Sequence, residues 1–208
     1  MGRITFGADE SDVEACAPRF PALVFAEQWI RHPLRMASIV PSGRQLAELV
    51  VDQLPAPCAR VVELGAGTGA FTRILLARGI RPENLLVVEI DQRLAALLRT
   101  EFSRVRVACA DARQLDRLVR KSDAFTAGEL DAVVSGIGML TMRQALRAEI
   151  LRAAFAVLGN GGCFVQFTYG PVSPVGARTL AALGLQGRRA GIALRNFPPA
   201  SVFVYRRA

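Results

Sequence analysis

Short apolar runs alternate with longer amphipathic stretches through most of the chain. ARVVEL (59–64), NLLVVEID (84–91), VRVACAD (105–111), LDAVVSG (130–136) and CFVQFTY (163–169) are rich in β-branched residues and too short for buried helices, so they predict five strands. Helical spacing fills the gaps. A turn and helix are expected over 65–79, with Gly79 closing the helix. Further helices are expected over 92–102, near 112–121 and over about 141–158. GNGG (159–162) predicts a turn before the fifth strand. A helix over 174–184 and strands near 190–195 and 201–206 complete the pattern. Strands alternating with helices imply an α/β fold with a doubly wound, mostly parallel sheet of seven strands, Rossmann-like in its winding. The last two strands have no good helix between them, which predicts an antiparallel hairpin at the sheet edge.

Upstream of the first strand the pattern changes. Residues 1–18 are small, polar and acidic and are expected to form a mobile N-terminus. Phe20, Leu23, Val24, Ile30 and Leu34 recur near helical spacing, with Phe25 and Trp29 beside them, which predicts an amphipathic helix within 19–36. The main domain is then expected over 37–208. It opens with a helix over 43–54, for which Ser42 is the expected N-cap and Pro55 and Pro57 the stop. The first helix sets its aromatic residues beside Arg19, Arg31, His32 and Arg35, a mixture that favours an anionic headgroup layer. Packing on the sheet edge would explain the same pattern.

Composition sharpens this reading. Lysine and arginine number 26 against 18 acids, for a net charge of +8, and Lys121 is the only lysine. Arginine forks match phosphate geometry, so the charge points to nucleic acid, an anionic membrane surface or a phosphorylated substrate. A GC-rich coding sequence would raise arginine equally. The four cysteines, Cys16, Cys58, Cys109 and Cys163, lack metal-ligand spacing and are expected to be buried reduced thiols, with no metal site. No run reaches the length of a spanning helix, and the first twenty residues lack a signal-peptide core. The expectation is a cytoplasmic protein, peripheral to a membrane.

The densest chemical signal is Glu63-Leu64-Gly65-Ala66-Gly67-Thr68-Gly69, a strand entering a glycine turn and then a helix. Gly65 and Gly67 permit positive φ and bring bare backbone close to a ligand. The even G-x-G-x-G spacing differs from the G-x-G-x-x-G of pyrophosphate-binding turns. It suits a nucleoside without phosphate, namely S-adenosylmethionine. Glu89 ends the second strand, where a carboxylate can accept both ribose hydroxyls, and Asp111 ends the third, where one can accept an adenine amino group. Asp91 reads better as a helix cap. With Ala66, Gly69, Ile90, Ala112 and Ser135 these residues make the expected cofactor contact set.

VVELGAGTGAF, VVEID, ADA and LGNGGCFVQF together resemble class I S-adenosylmethionine-dependent methyltransferases over about residues 40–170. FAEQWIRHPLRMASIVPSGRQLA (25–47) and GNGGCFVQFTYGPVSPV (159–175) resemble bacterial phospholipid N-methyltransferases. That resemblance implies transfer of methyl groups to the amine of phosphatidylethanolamine towards phosphatidylcholine, with S-adenosylhomocysteine as the other product. It implies an anionic membrane surface as partner, a place at the inner face of the membrane, and Phe20, Phe25, Trp29 and Arg31 as membrane contacts. Tyr169, Arg35 and Arg178 are expected to meet the headgroup. Tyr169 is the candidate catalytic residue, and a packing tyrosine is its other reading. The family is also similar to rRNA adenine dimethyltransferases, whose Asn-Leu/Ile-Pro-Tyr/Phe motif holds a flipped base. Here that stretch is Ser135-Gly136-Ile137-Gly138-Met139-Leu140, with no Asn, Pro or aromatic ring, so nucleic acid is not the expected substrate. The lipid enzymes imply a Leu-Pro pair there, and glycines stand in its place. An rRNA adenine N6-dimethyltransferase-like or small-molecule methyltransferase, which the positive charge permits, and a non-catalytic membrane-binding module on the same fold are the remaining alternatives.

Overall fold

The computed structural model describes residues 41–194 and 199–208. Its elements run α1 (Pro41–Val51), β1 (Val61–Leu64), α2 (Ala70–Ala77), β2 (Leu85–Glu89), α3 (Gln92–Glu101), β3 (Arg106–Cys109), α4 (Leu115–Arg120), β4 (Leu130–Ser135), α5 (Gln144–Phe155), β5 (Leu158–Tyr169), α6 (Ala177–Ala182), β6 (Leu185–Ala193) and β7 (Ala200–Arg207). The amphipathic helix expected within 19–36, with Phe20, Phe25, Trp29, Arg31 and Arg35, lies outside the described residues.

All seven strands join one sheet in the order β3-β2-β1-β4-β5-β7-β6. The pairs from β3 through β5 are parallel, and β7 and β6 close the edge as the antiparallel hairpin that the pattern predicted. Parallel strands are covered on both faces, which is why β1 and β2 read as nearly unbroken apolar runs. Val62, Leu64, Leu86, Val88, Val133 and Phe164 face one core with Leu115 of α4, Leu151 of α5 and Leu180 of α6. Val61, Val87, Val134, Val165 and Val202 face the other, with Val50 of α1, Leu75 of α2 and Leu98 of α3. Burying each such side chain contributes roughly 1.5–3 kcal/mol. Gly79 ends α2 as expected. At φ 94 it donates to Leu76 O while Ile80 donates to Leu75 O, a paired closure that needs a left-handed residue.

Several boundaries move. α1 already includes Ser42, so Ser42 is not its cap, and the helix stops at Val51, ahead of the prolines. The 141–158 helix shortens to α5 behind a 3₁₀ turn at Met139–Thr141, and the 174–184 helix to six residues after Gly176. GNGG is no separate turn. It lies inside β5, where Leu158 faces Leu130 and Cys163 faces Ala132, so the intervening residues bulge. A Cβ on Gly159 would stand 2.8 Å from Gly128 O, so bare backbone lets the bulge press against the adjacent loop. β6 starts at Leu185, earlier than the apolar pattern shows, because backbone pairing with β7 extends it through the arginines. Cys163 is buried as expected, whereas Cys109 is exposed, because β3 is an edge strand and Cys109 ends it.

The chain steps outward from β1 to β2 and β3, then returns to place β4 on the other flank of β1. That reversal leaves a crevice at the carboxyl ends of β1, β2 and β4. The turns after all five parallel strands lie at that end of the sheet.

Candidate functional site

The glycine turn forms as its sequence requires. Gly65, Gly67 and Gly69 have φ of 67, 58 and 81°, the left-handed region that a side chain would strain. Gly69 opens α2 without a side-chain cap. Ala66 is buried beneath the turn. A Cβ at Gly69 would come within 2.5 Å of the Phe102 ring, so this glycine also serves the packing of α2 on the end of α3.

Glu89 is 5% exposed and ties two turns together. Its Oε2 accepts the Gly67 N–H at 2.9 Å and its Oε1 accepts the Asp91 N–H at 3.0 Å. Each oxygen keeps a further lone pair for a ribose hydroxyl. Asp91 caps α3 with hydrogen bonds from the Arg93 and Leu94 amides, as its sequence position indicated. Beside it, Ile90 is 70% exposed, an apolar face at the crevice rim suited to cover a purine.

Glu63 lies fully buried under the turn. Its Oε2 accepts the Thr72 hydroxyl at 2.6 Å, and its Oε1 has no hydrogen-bond partner among the described residues. Burial raises its pKa to about 7, opposed by the Thr72 hydrogen bonds. A buried carboxyl with an unused oxygen fits the cationic α-amino group of S-adenosylmethionine, whose arrival would favour the ionised form.

Asp111 is engaged differently from the sequence expectation. It caps the 3₁₀ turn at Ala112–Gln114, and both its oxygens accept from Arg113, with Nη2 at 2.7 Å. These hydrogen bonds hold its carboxyl below the ordinary aspartate range. Its remaining lone pairs face any purine in competition with that arginine. Ala112 is buried at the same corner.

Across the crevice, Ser135 ends β4, fully buried. Its Oγ accepts the Ile137 N–H at 3.3 Å, and Gln166 Nε2 of β5 donates to Ile137 O at 2.9 Å, so the two peptide units flanking Ile137 are each held by a side chain. Gly136 explains the missing Leu-Pro pair. Its N–H donates to Leu64 O at 2.8 Å, and a Cβ there would stand 2.5 Å from Gly65 O. The β4 turn thus presses directly on the cofactor turn, and only glycine allows it. Arg147 fixes the rest of this loop by donating to the carbonyls of Leu140, Met142 and Pro174.

Tyr169 ends β5 half-buried, edge-on to Phe167 with ring centroids 5.7 Å apart, so its ring packs and its position also borders the crevice. Arg178 is exposed on α6. The two turns, Glu63, Glu89, Ile90 and Ser135 form one continuous site, and Asp111 flanks it. Thr72, Arg147 and Gln166 were missed in the sequence. A glutamine inside the apolar run FVQFTY was the one visible signal. No group of metal-binding side chains occurs among the described residues.

A seven-stranded β3-β2-β1-β4-β5-β7-β6 sheet carrying an evenly spaced glycine turn and acids near its strand ends defines a methyltransferase fold. The methyltransferase domain model matches residues 61–162. An ornithine lipid N-methyltransferase from Singulisphaera acidiphila is 33% identical over 153 residues, covering 71% of this chain and 78% of that one. A malonyl-[acyl-carrier protein] O-methyltransferase from Bacteroides thetaiotaomicron is 26% identical over 70% of this chain, which spans only 52% of that protein. The crystal structure of magnesium protoporphyrin IX methyltransferase from Synechocystis PCC 6803, with bound S-adenosylmethionine, superposes with a TM-score of 0.61 at 12% identity, over 92% of this chain and 99% of that one. The chain belongs to the class I S-adenosylmethionine-dependent methyltransferases. Its most informative similarity is to an enzyme that methylates a lipid nitrogen.

Proposed function

We propose that the protein transfers methyl groups from S-adenosylmethionine to the headgroup amine of phosphatidylethanolamine and its methylated intermediates, at the inner face of the membrane. The observation that carries this reading is the 33% identity to a lipid N-methyltransferase over most of both chains. The run FVQFTYGP (164–171), which carries Tyr169 at the crevice end of β5, supports it. An ornithine lipid headgroup is the second reading, favoured by that same relative, and it offers the same chemistry of a primary amine on an anchored lipid.

When bound, the cofactor supplies an electrophilic sulfonium methyl, so the protein's task is alignment and exclusion of water. The 65–69 turn, Glu63 and Glu89 hold the donor. Ser135 and the Ile137 backbone, held at its N–H and its carbonyl, fix the wall between donor and acceptor. The amine must be neutral to attack, and it can lose its proton to water, to Tyr169 or to the lipid phosphate. No obligatory base is needed. Arg178 and Arg35 are the proposed phosphate contacts, and residues 19–36 the proposed membrane anchor.

The test is incubation with methyl-labelled S-adenosylmethionine and vesicles of either phosphatidylethanolamine or ornithine lipid, followed by thin-layer separation. Label in phosphatidylethanolamine derivatives supports the first reading, and label in ornithine lipid alone supports the second. Label in RNA only, or cofactor binding without transfer, overturns both.

A further inference from the structure

β5 carries two polar side chains where its apolar pattern leaves no evident reason for them. Gln166 is 0% exposed and Thr168 is 5% exposed. Alternation along the strand puts both on the face of Phe164, together with Ser135 on β4 and Ser201 on β7, their register neighbours. Gln166 spends its amide nitrogen on the carbonyls of Ile137 and Phe167. Its Oε1 and the Thr168 Oγ1 have no hydrogen-bond partner among the described residues. Buried acceptors left empty are rare and costly, and each such group needs an explanation.

Their position supplies one. Ile137 joins Gln166 to the cofactor turn: Gln166 holds the Ile137 carbonyl, while the Ile137 side chain fills the space where a Gly65 Cβ would sit, 2.9 Å away. The unused Gln166 oxygen therefore lies one residue from the donor turn, with Thr168 two positions further along the same face of β5, at the strand's carboxyl end. They stand apart from Glu63 of β1 and Glu89 of β2, the carboxylates that face the donor.

We propose that Gln166 Oε1 and Thr168 Oγ1 cradle the attacking nitrogen by accepting its N–H bonds, and so select amines that still carry hydrogen. This rests on the amine-lipid reading above. In the transfer the nitrogen lone pair forms the N–CH₃ bond as the S–CH₃ bond breaks. The sulfonium becomes a neutral thioether, the nitrogen becomes an ammonium, and its proton leaves to water. Oxygens aimed at the N–H bonds favour the positive charge as it develops. A neutral primary amine fills both acceptors, a once-methylated amine fills one, and a twice-methylated amine fills neither. The cradle thus discriminates by methylation state, acting on position rather than as a proton acceptor.

The test compares wild type with Thr168→Val and Gln166→Leu on phosphatidylethanolamine and on its monomethyl and dimethyl derivatives. Derivatives that are not turned over are scored by their inhibition constants. Unchanged S-adenosylhomocysteine affinity checks the fold of each variant. Preference for the unmethylated headgroup should narrow about tenfold in Thr168→Val, through kcat/KM on that substrate, and should recover in Thr168→Ser. Gln166→Leu should narrow it likewise. A preference that stays at the wild-type value, whether all rates fall together or none falls, overturns the cradle. Wild-type protein that methylates neither lipid amine overturns the proposed function, and the cradle with it.

Discussion

Thr72 donates its hydroxyl to Glu63 across 2.6 Å, while the other Glu63 oxygen has no partner among the described residues. The pair joins β1 to the first turn of α2 beneath the glycine turn. Burial raises the Glu63 pKa from 4.5 to about 7. The folded protein therefore holds a proton that the unfolded chain releases. The resulting stabilisation is complete below pH 4.5 and is lost as pH rises through about 7. The shift corresponds to ~3 kcal/mol. Thermal melts of the cofactor-free protein should show this decline for wild type and a flatter profile for Glu63→Gln. Equal slopes in the two proteins would contradict the buried, protonated carboxyl.

Glu89 braces both the glycine turn and the start of α3, so Glu89→Ala loses acceptors for two backbone amides as well as the proposed ribose contact. Affinity for S-adenosylhomocysteine should fall roughly 10- to 100-fold, the range expected for hydrogen bonds to a charged group. Isothermal calorimetry reads this directly. A loss below threefold would remove Glu89 from the donor site.

Adding one methyl group at Gly136 drives a Cβ to 2.5 Å from the Gly65 carbonyl, backbone against backbone. Gly136→Ala should destabilise the fold by about 1–3 kcal/mol and weaken cofactor binding. Urea titration followed by circular dichroism gives the first number. Wild-type stability together with wild-type affinity would show that the two turns do not press on each other.

Tyr169 stands at the crevice end of β5 with its ring packed on Phe167. Tyr169→Phe keeps the packing and removes only the hydroxyl. Turnover on lipid amine should drop about tenfold, as for loss of one hydrogen bond to a charged group, with cofactor affinity intact. An unaltered kcat makes it a packing tyrosine.

Deleting residues 1–36 removes the proposed anchor and leaves the described domain. Co-sedimentation with vesicles containing anionic lipid should be lost, while S-adenosylhomocysteine binding persists. Unchanged sedimentation would place the membrane contact elsewhere.

The local signals were legible because they are local. Period-two and continuous apolar runs fix strands, Gly79 closes a helix wherever it lies, and the 65–69 turn needs its glycines whatever surrounds it. The order of strands and helices, the antiparallel edge and the acids at strand ends could all be read in the sequence for that reason. Tertiary structure alone decided what depends on close approach between distant segments. It paired Glu63 with Thr72, gave Asp111 to Arg113, exposed Cys109 at a sheet edge, set Gly136 against Gly65, and left Gln166 with an empty oxygen. Contact distances of 2.5–3 Å follow from the packing of whole layers, and no pattern along the chain encodes them.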